Sequence, residues 1–141
     1  MKIRIFLLLL VVCLFCLNAC QSSDTDPAAV MDAYTEAINN HDVETALALV
    51  AEDALYSRPN GDFNGKEEIR GFIEGLFARD VQVSVIGERQ VNGEEVIWMS
   101  SVSLLDPENP NGPRIQLINN SRSTIRNGLI VFHTAERAQT E

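Results

Sequence analysis

A handful of residues in this chain have side chains and spacings that point to chemistry: Tyr34, the pair Tyr56 and Arg58, the single tryptophan Trp98, and the hydroxyls Ser121 and Ser123 beside Phe132. A phenol such as Tyr34 can donate to a carbonyl or enolate oxygen; equally, it can bury its ring and satisfy its hydroxyl locally. Tyr56 and Arg58 stand two apart and so share one face of an extended segment. If that face is interior, the guanidinium needs a negative partner: a ligand carboxylate, a structural Asp or Glu, or water at the rim. Trp98 reads either as a platform for a ring-shaped ligand or as core. Ser121 and Ser123 are small enough to leave volume beside Phe132. No Ser-His-Asp pattern makes either serine a nucleophile. The two histidines, His41 and His133, have no zinc spacing, and no glycine belongs to a phosphate-cradling motif, so no metal or cofactor is implied.

The elements that must position these residues are legible from periodicity. Asp26 caps a helix that Pro27 opens, and Val30, Ala33, Tyr34, Ala37 and Ile38 form its apolar stripe until Asn39-Asn40-His41. Asp42 caps a second helix carrying Val43, Ala46, Leu47 and Val50, with a stop expected near Ala51 because Glu52 and Asp53 oppose the helix dipole. A short strand, Ala54–Arg58, turns at Pro59-Asn60-Gly61. Asn64 or Gly65 begins a third helix, with Glu67 placed for a capping box and a wide apolar face of Ile69, Phe72, Ile73, Leu76 and Phe77.

From Val81 the period falls to two. Asn92-Gly93 predicts a tight hairpin into Glu95–Leu105, a central strand with both faces half apolar. Asp106–Pro113 is a proline-rich loop; Arg114–Arg126 and Leu129–Ala135 form a second hairpin about Asn127-Gly128. A regular two-residue turn pairs Ile125 with Ile130, Ser123 with Phe132 and Ser121 with Thr134 toward the core. It sets His133 opposite Arg122 on the outer face, where the cation lowers its proton affinity. A one-residue slip would reverse that placement.

Lys2 and Arg4, the apolar run Ile5–Leu17 and Leu17-Asn18-Ala19-Cys20 predict an export signal over residues 1–19, too short to span a bilayer. The last tetrad resembles a bacterial lipoprotein processing site, which makes Cys20 the lipidated first residue, residues 20–26 a tether, residues 27–137 the domain and residues 138–141 a tail. Cys13 and Cys16 leave with the leader, so no disulfide is expected. Losing Lys2 and Arg4 while keeping all 20 acidic residues takes the formal charge from −9 to −11. Such a surface repels phosphate backbones and argues against nucleic acid. The expected location is the bacterial cell envelope, lipid-anchored and extracytoplasmic.

The order helix, helix, short strand, helix and four longer strands is an α+β arrangement. Tyr34…Ala37-Ile38-Asn39-Asn40-His41-Asp42, Ala48–Ala54, Pro59-Asn60-Gly61…Asn64–Arg70 and Asn127–Ile130 resemble the nuclear-transport-factor-2-like superfamily, in its SnoaL-like and ketosteroid-isomerase-like branch. The resemblance implies a cone: three N-terminal helices against a strongly curved, mixed, largely antiparallel sheet, with a pocket at the mouth. Tyr34 matches the tyrosine of the isomerase pattern. The position of its aspartate base holds Arg58, which cannot abstract a proton, and the second aspartate falls near Asn120–Ser121, where no acid stands. Ketosteroid isomerisation by that mechanism is therefore disfavoured.

The leading expectation is a membrane-anchored domain that binds a small apolar or anionic molecule through Tyr34, Tyr56, Arg58, Trp98, Ser121, Ser123 and Phe132. One alternative is a cyclase- or isomerase-type enzyme in which Tyr34 polarises a carbonyl of an apolar compound and an unrecognised base moves the proton. Another is an interaction module, homodimeric through the outer sheet face.

Overall fold

A computed structural model describes residues 25–139. The leader, Cys20 and the end of the tail lie outside the described residues, as does most of the tether.

The order is α1 (Pro27–Asn39), α2 (Val43–Ala48), β1 (Val50–Ser57), β2 (Phe63–Asn64), α3 (Gly65–Phe77), β3 (Gln82–Asn92), β4 (Glu95–Leu104), β5 (Ile115–Arg126) and β6 (Leu129–Arg137). The predicted caps explain the first two helices. The Asp26 carboxylate accepts from the Ala28 amide at 3.0 Å, and Asp42 accepts from the Thr45 amide at 3.0 Å. Asn64 makes no side-chain cap; the carboxylate that reaches back to its amide is Glu68, at 2.7 Å, one residue later than the Glu67 expected.

The six strands form one sheet in the order β2-β1-β6-β5-β4-β3. All neighbours are antiparallel except β1 and β6, which run parallel. The helices pack on one side: α1 against β3 and α2, α3 against β1 and β2. Between the layers lies an apolar core that includes Met31, Ile38, Leu47, Val50, Ile69, Ile73, Val96 and Ile130. Burying such side chains at roughly 25 cal/mol per Å² of apolar surface supplies the main drive for closing the two layers. The other side of the sheet leaves Ile86, Ile97 and Met99 exposed. Among the described residues no helix is long and apolar enough to cross a membrane.

The sheet corrects one expectation: it is not strongly curved, and the helices do not close a cone. Its six strands form an open ladder with β2 and β3 at opposite edges, and β4 and β5 run through unbroken pairing from Glu95 opposite Thr124 to Leu104 opposite Ile115. The central ladder has no register break to bend it; the breaks fall in the β1–β6, β3–β4 and β5–β6 ladders on either side.

A second correction concerns register. Arg126 pairs with Leu129 and Ile125 with Ile130, as a tight Asn127-Gly128 turn requires, and both turn residues have positive φ, 51° and 75°. The next pair is Thr124 with Phe132, so Val131 is an extra residue, a β-bulge. Beyond it Ser123 faces His133 and Ser121 faces Ala135. The bulge exchanges the two faces of β6. Phe132, expected inside, goes to the outer face, where the Arg122 guanidinium lies 5.6 Å from its ring. His133, expected outside, is buried.

Candidate functional site

A half-open cavity of about 80 Å³ lies between the helix layer and the inner face of the sheet. Helix α1 contributes Met31, Tyr34, Thr35 and Ile38, spaced by three and four residues, which is why one helix face can line it. Helix α3 adds Phe72 and Leu76. The sheet supplies Val83, Trp98, Ser100, Ser121, His133 and Ala135, each pointing inward by strand alternation, and Arg58 follows the end of β1.

Of the residues singled out from the sequence, Tyr34, Arg58, Trp98 and Ser121 line this cavity. Tyr56 and Ser123 sit directly behind it, both fully buried. Phe132 is on the far side of the sheet. His133, Thr35 and Ser100 were not foreseen as site residues. Ser100 shares the inward face of Trp98, two residues on, and its hydroxyl meets that of Ser121 at 3.1 Å.

His133 is the centre of the arrangement. Its Nδ1 is 2.8 Å from the Ser123 hydroxyl, and its ring stacks on Trp98 at 5.8 Å with 6° between planes. Tyr56 and Tyr34 approach its ring edge-on, at 5.1 and 6.3 Å between centroids. These contacts hold the imidazole on three sides and engage one of its nitrogens. Nε2 makes no hydrogen bond with any described residue, and it is not among the sealed, unpartnered polar atoms, so it opens to the cavity.

The electrostatics follow from burial in the company of one cation. Burial, and then the nearby Arg58 charge, hold the His133 imidazole well below its ordinary value of 6.5, against a smaller opposing pull from the Arg122 carbonyl. It is therefore neutral at physiological pH. The Tyr34 phenol is pushed up to about 12 by burial, an effect partly offset by the neighbouring Tyr56 hydroxyl and by Arg58. The Tyr56 phenol is likewise held well above its ordinary value of 10.0, first by burial and then by the adjoining Tyr34. Both phenols remain protonated donors. Arg58 lies 5.0 Å from the centroid of Phe72 and 5.5 Å from that of Tyr56. Desolvation lowers its pKa, yet a guanidinium stays charged at any physiological pH.

The site thus brings together a neutral imidazole, a phenolic donor and a guanidinium in an apolar surround, with no carboxylate among its lining residues. An imidazole that is unprotonated at neutral pH can accept a proton. A phenol and a guanidinium can stabilise the negative oxygen that such a transfer creates. Among the described residues no group of three or more His, Cys, Asp or Glu is placed to hold a metal ion.

Solved structures share the architecture. SalBIII, an epoxide hydrolase/cyclase-like enzyme described in pyran ring formation in the polyether salinomycin, superposes with a TM-score of 0.76 at 14% identity, covering 84% of this chain and 95% of that one. An NTF2-like protein of unknown function from Burkholderia pseudomallei K96243 gives 0.70 at 18% identity, covering 81% and 92%. An LEH-like epoxide hydrolase from M. tuberculosis gives 0.68 at 17%, covering 81% and 84%. At these identities the likeness is one of fold. No curated protein sequence matches the chain. The SnoaL-like domain model matches residues 31–133, a span running from the first cavity residue on α1 to the buried histidine on β6, and the chain belongs to that family.

Proposed function

We propose that the domain is an enzyme that moves a proton on the carbon beside a carbonyl of a small, largely apolar compound. The observation that carries this reading is the neutral His133 imidazole turned into the same cavity as the Tyr34 hydroxyl and the Arg58 guanidinium. The Tyr34 hydroxyl donates to the carbonyl oxygen. Nε2 of His133 takes the proton from the adjacent carbon, the C–H electron pair becomes the enolate π bond, and the carbonyl π pair moves onto oxygen. The positive field of Arg58 favours that oxygen's charge. Return of the proton at another carbon completes an isomerisation; attack of the enolate carbon on a second carbonyl carbon of the same molecule, whose π pair moves onto its oxygen and takes the proton from Nε2, completes a cyclisation. The two named enzymes of the same fold, one cyclase-like and one an epoxide hydrolase, support small-molecule chemistry in this layout. His133 fills the role of base that the aspartate-to-Arg58 departure leaves open.

The test is deuterium uptake. Incubation in D₂O with cyclohexanone, 4-oxopentanoate and its methyl ester, followed by proton NMR, is expected to show catalysed loss of the signals beside the carbonyl. His133→Gln should slow the catalysed rate by roughly 100-fold or more, the range for losing a general base. Equal rates for wild type and variant would refute the assignment.

We further propose that the domain is held at the outer side of a bacterial membrane by lipid on Cys20, a reading supported by Lys2, Arg4, Ile5–Leu17 and the Leu17–Cys20 tetrad. Cys20→Ser should release the protein from membranes or leave it unprocessed, and mass analysis finding an unmodified Cys20 as first residue would refute it.

A further inference from the structure

Arg58 is a cation whose best hydrogen-bonding edge is unused. Its Nη1 donates to the carbonyls of Ser57 at 2.8 Å and His133 at 3.3 Å. Its Nε and Nη2 make no hydrogen bond with any described residue, and neither is among the sealed, unpartnered atoms, so both remain accessible beside the cavity. Those two N–H groups form one side of the guanidinium fork, spaced to take both oxygens of a carboxylate. Arg70, Arg89, Arg114, Arg122 and Arg126 each face an Asp or Glu within the fold. Arg58 faces none among the described residues, although the chain has 20 acidic residues against 11 basic ones. The flanking rings of Tyr56 and Phe72 fix the guanidinium in place, so little order has to be gained when an anion arrives.

We infer that the substrate carries a carboxylate, which the Nε and Nη2 edge of Arg58 grips at two points while the rest of the molecule enters the cavity toward Tyr34 and His133. The inference rests on the reading of this cavity as the substrate site. With a volume of about 80 Å³, the cavity suits a short oxo acid or the oxo-acid end of a longer one. The grip also feeds back on the base. Arg58 is one cause of the low proton affinity of His133, so an anion that neutralises Arg58 makes the imidazole a stronger base when substrate is present.

Binding tests this apart from turnover. Trp98 is the chain's single tryptophan and lines the cavity, so its fluorescence reports occupancy. Purified protein is titrated with 4-oxopentanoate and, separately, with its methyl ester, which differ in charge but share the ketone. The acid should bind roughly tenfold or more tighter than the ester, and Arg58→Met should bring the two within about twofold. Arg58→Lys, which keeps the charge and loses the fork, should fall between. Equal affinity of acid and ester in the wild type overturns the inference without any variant. Persistence of the preference in Arg58→Met overturns it too, as does the lack of a saturable response to either compound. Acid preference without deuterium exchange would sink the proton-transfer reading and leave this one standing; exchange without acid preference would do the reverse.

Discussion

Two arginines lie against aromatic rings that line the cavity, Arg89 on Trp98 and Arg58 on Phe72, and are used in opposite ways. Where β3 meets α1, Arg89 has only 7% of its side chain exposed, with its guanidinium 5.2 Å from the Trp98 centroid. Nη2 donates to Thr35 Oγ1 at 2.8 Å and to the Met31 carbonyl at 3.2 Å, and Nη1 pairs with Asp32. The break in β3 register between Ile86 and Gln90, beside Gly87 at φ 73°, re-aims the strand where Arg89 leaves it. Both terminal nitrogens are spent fastening helix to sheet. Where β1 meets β6, Arg58 spends one nitrogen on main chain and leaves an edge open. One residue type thus serves as a clasp in one place and as a ligand anchor in the other: the unpartnered Nε of Arg89 is sealed inside the protein, whereas the unpartnered Nε and Nη2 of Arg58 remain accessible. His133 lies between them, stacked on the ring that Arg89 covers and accepting at its main-chain oxygen from Arg58.

The contrast can be broken in several ways. The largest effect is expected between the two arginines: His133→Gln should abolish most catalysed deuterium exchange while leaving the Arg58-dependent preference for 4-oxopentanoate in place, as read by NMR and by Trp98 fluorescence. Next comes stability. Arg89→Met loses hydrogen bonds from a buried cation and should cost about 2–3 kcal/mol in denaturant unfolding, while Arg58→Met should cost less than about 1 kcal/mol. Asp32, at 68% exposure, should add little of the Arg89 effect, so Asp32→Asn is expected to be the milder change.

A subtler effect is on pH dependence. The folded His133 pKa lies below the unfolded value near 6.5, so the unfolded chain takes up a proton that the native state refuses. Its contribution to stability is present above about pH 6.5 and is lost as pH falls toward the native value. His133→Gln should remove this component, which appears as the difference between the two denaturation curves from pH 7 to pH 5. The smallest effect is at the alkaline end. Phenolate absorbance from Tyr34 should be missing at its ordinary value of 10.0 and appear only toward about 12, with native stability falling across that interval.

Much of the fold was legible because it follows from local rules. Asp26-Pro27 and Asp42 mark real caps, the Ile69–Phe77 stripe marks a real helix face, and Asn127-Gly128 marks a real hairpin turn, whereas the first hairpin turns one residue later than expected, at Gly93-Glu94, with Asn92 paired to Glu95. Where a local rule had a close competitor, the boundary shifted. Val50, expected on the second helix, instead opens β1, and the Glu68 reach to Asn64 replaces that of Glu67.

The site was only partly legible. Tyr34, Arg58, Trp98 and Ser121 lie where alternation and helix spacing put them. His133 and Phe132 do not, because a single extra residue, Val131, changes which of two adjacent ring-bearing residues turns inward. Nothing in the order Val131-Phe132-His133 announces a bulge, since all three have side chains that either face of a strand accepts. The physical reason emerges only with the partners in place: inside, the imidazole finds the Ser123 hydroxyl and the Trp98 ring, while outside, Phe132 covers itself with Arg122.

The most direct test is a proton NMR titration of the His133 imidazole, assigned by the signal that His133→Gln removes. The predicted result is a titration midpoint well below 6.5 in the free protein and an upward move on adding saturating 4-oxopentanoate. A midpoint at or above 6.5 in the free protein, unmoved by the acid, would contradict the account of a buried, neutral base beside an unpaired Arg58.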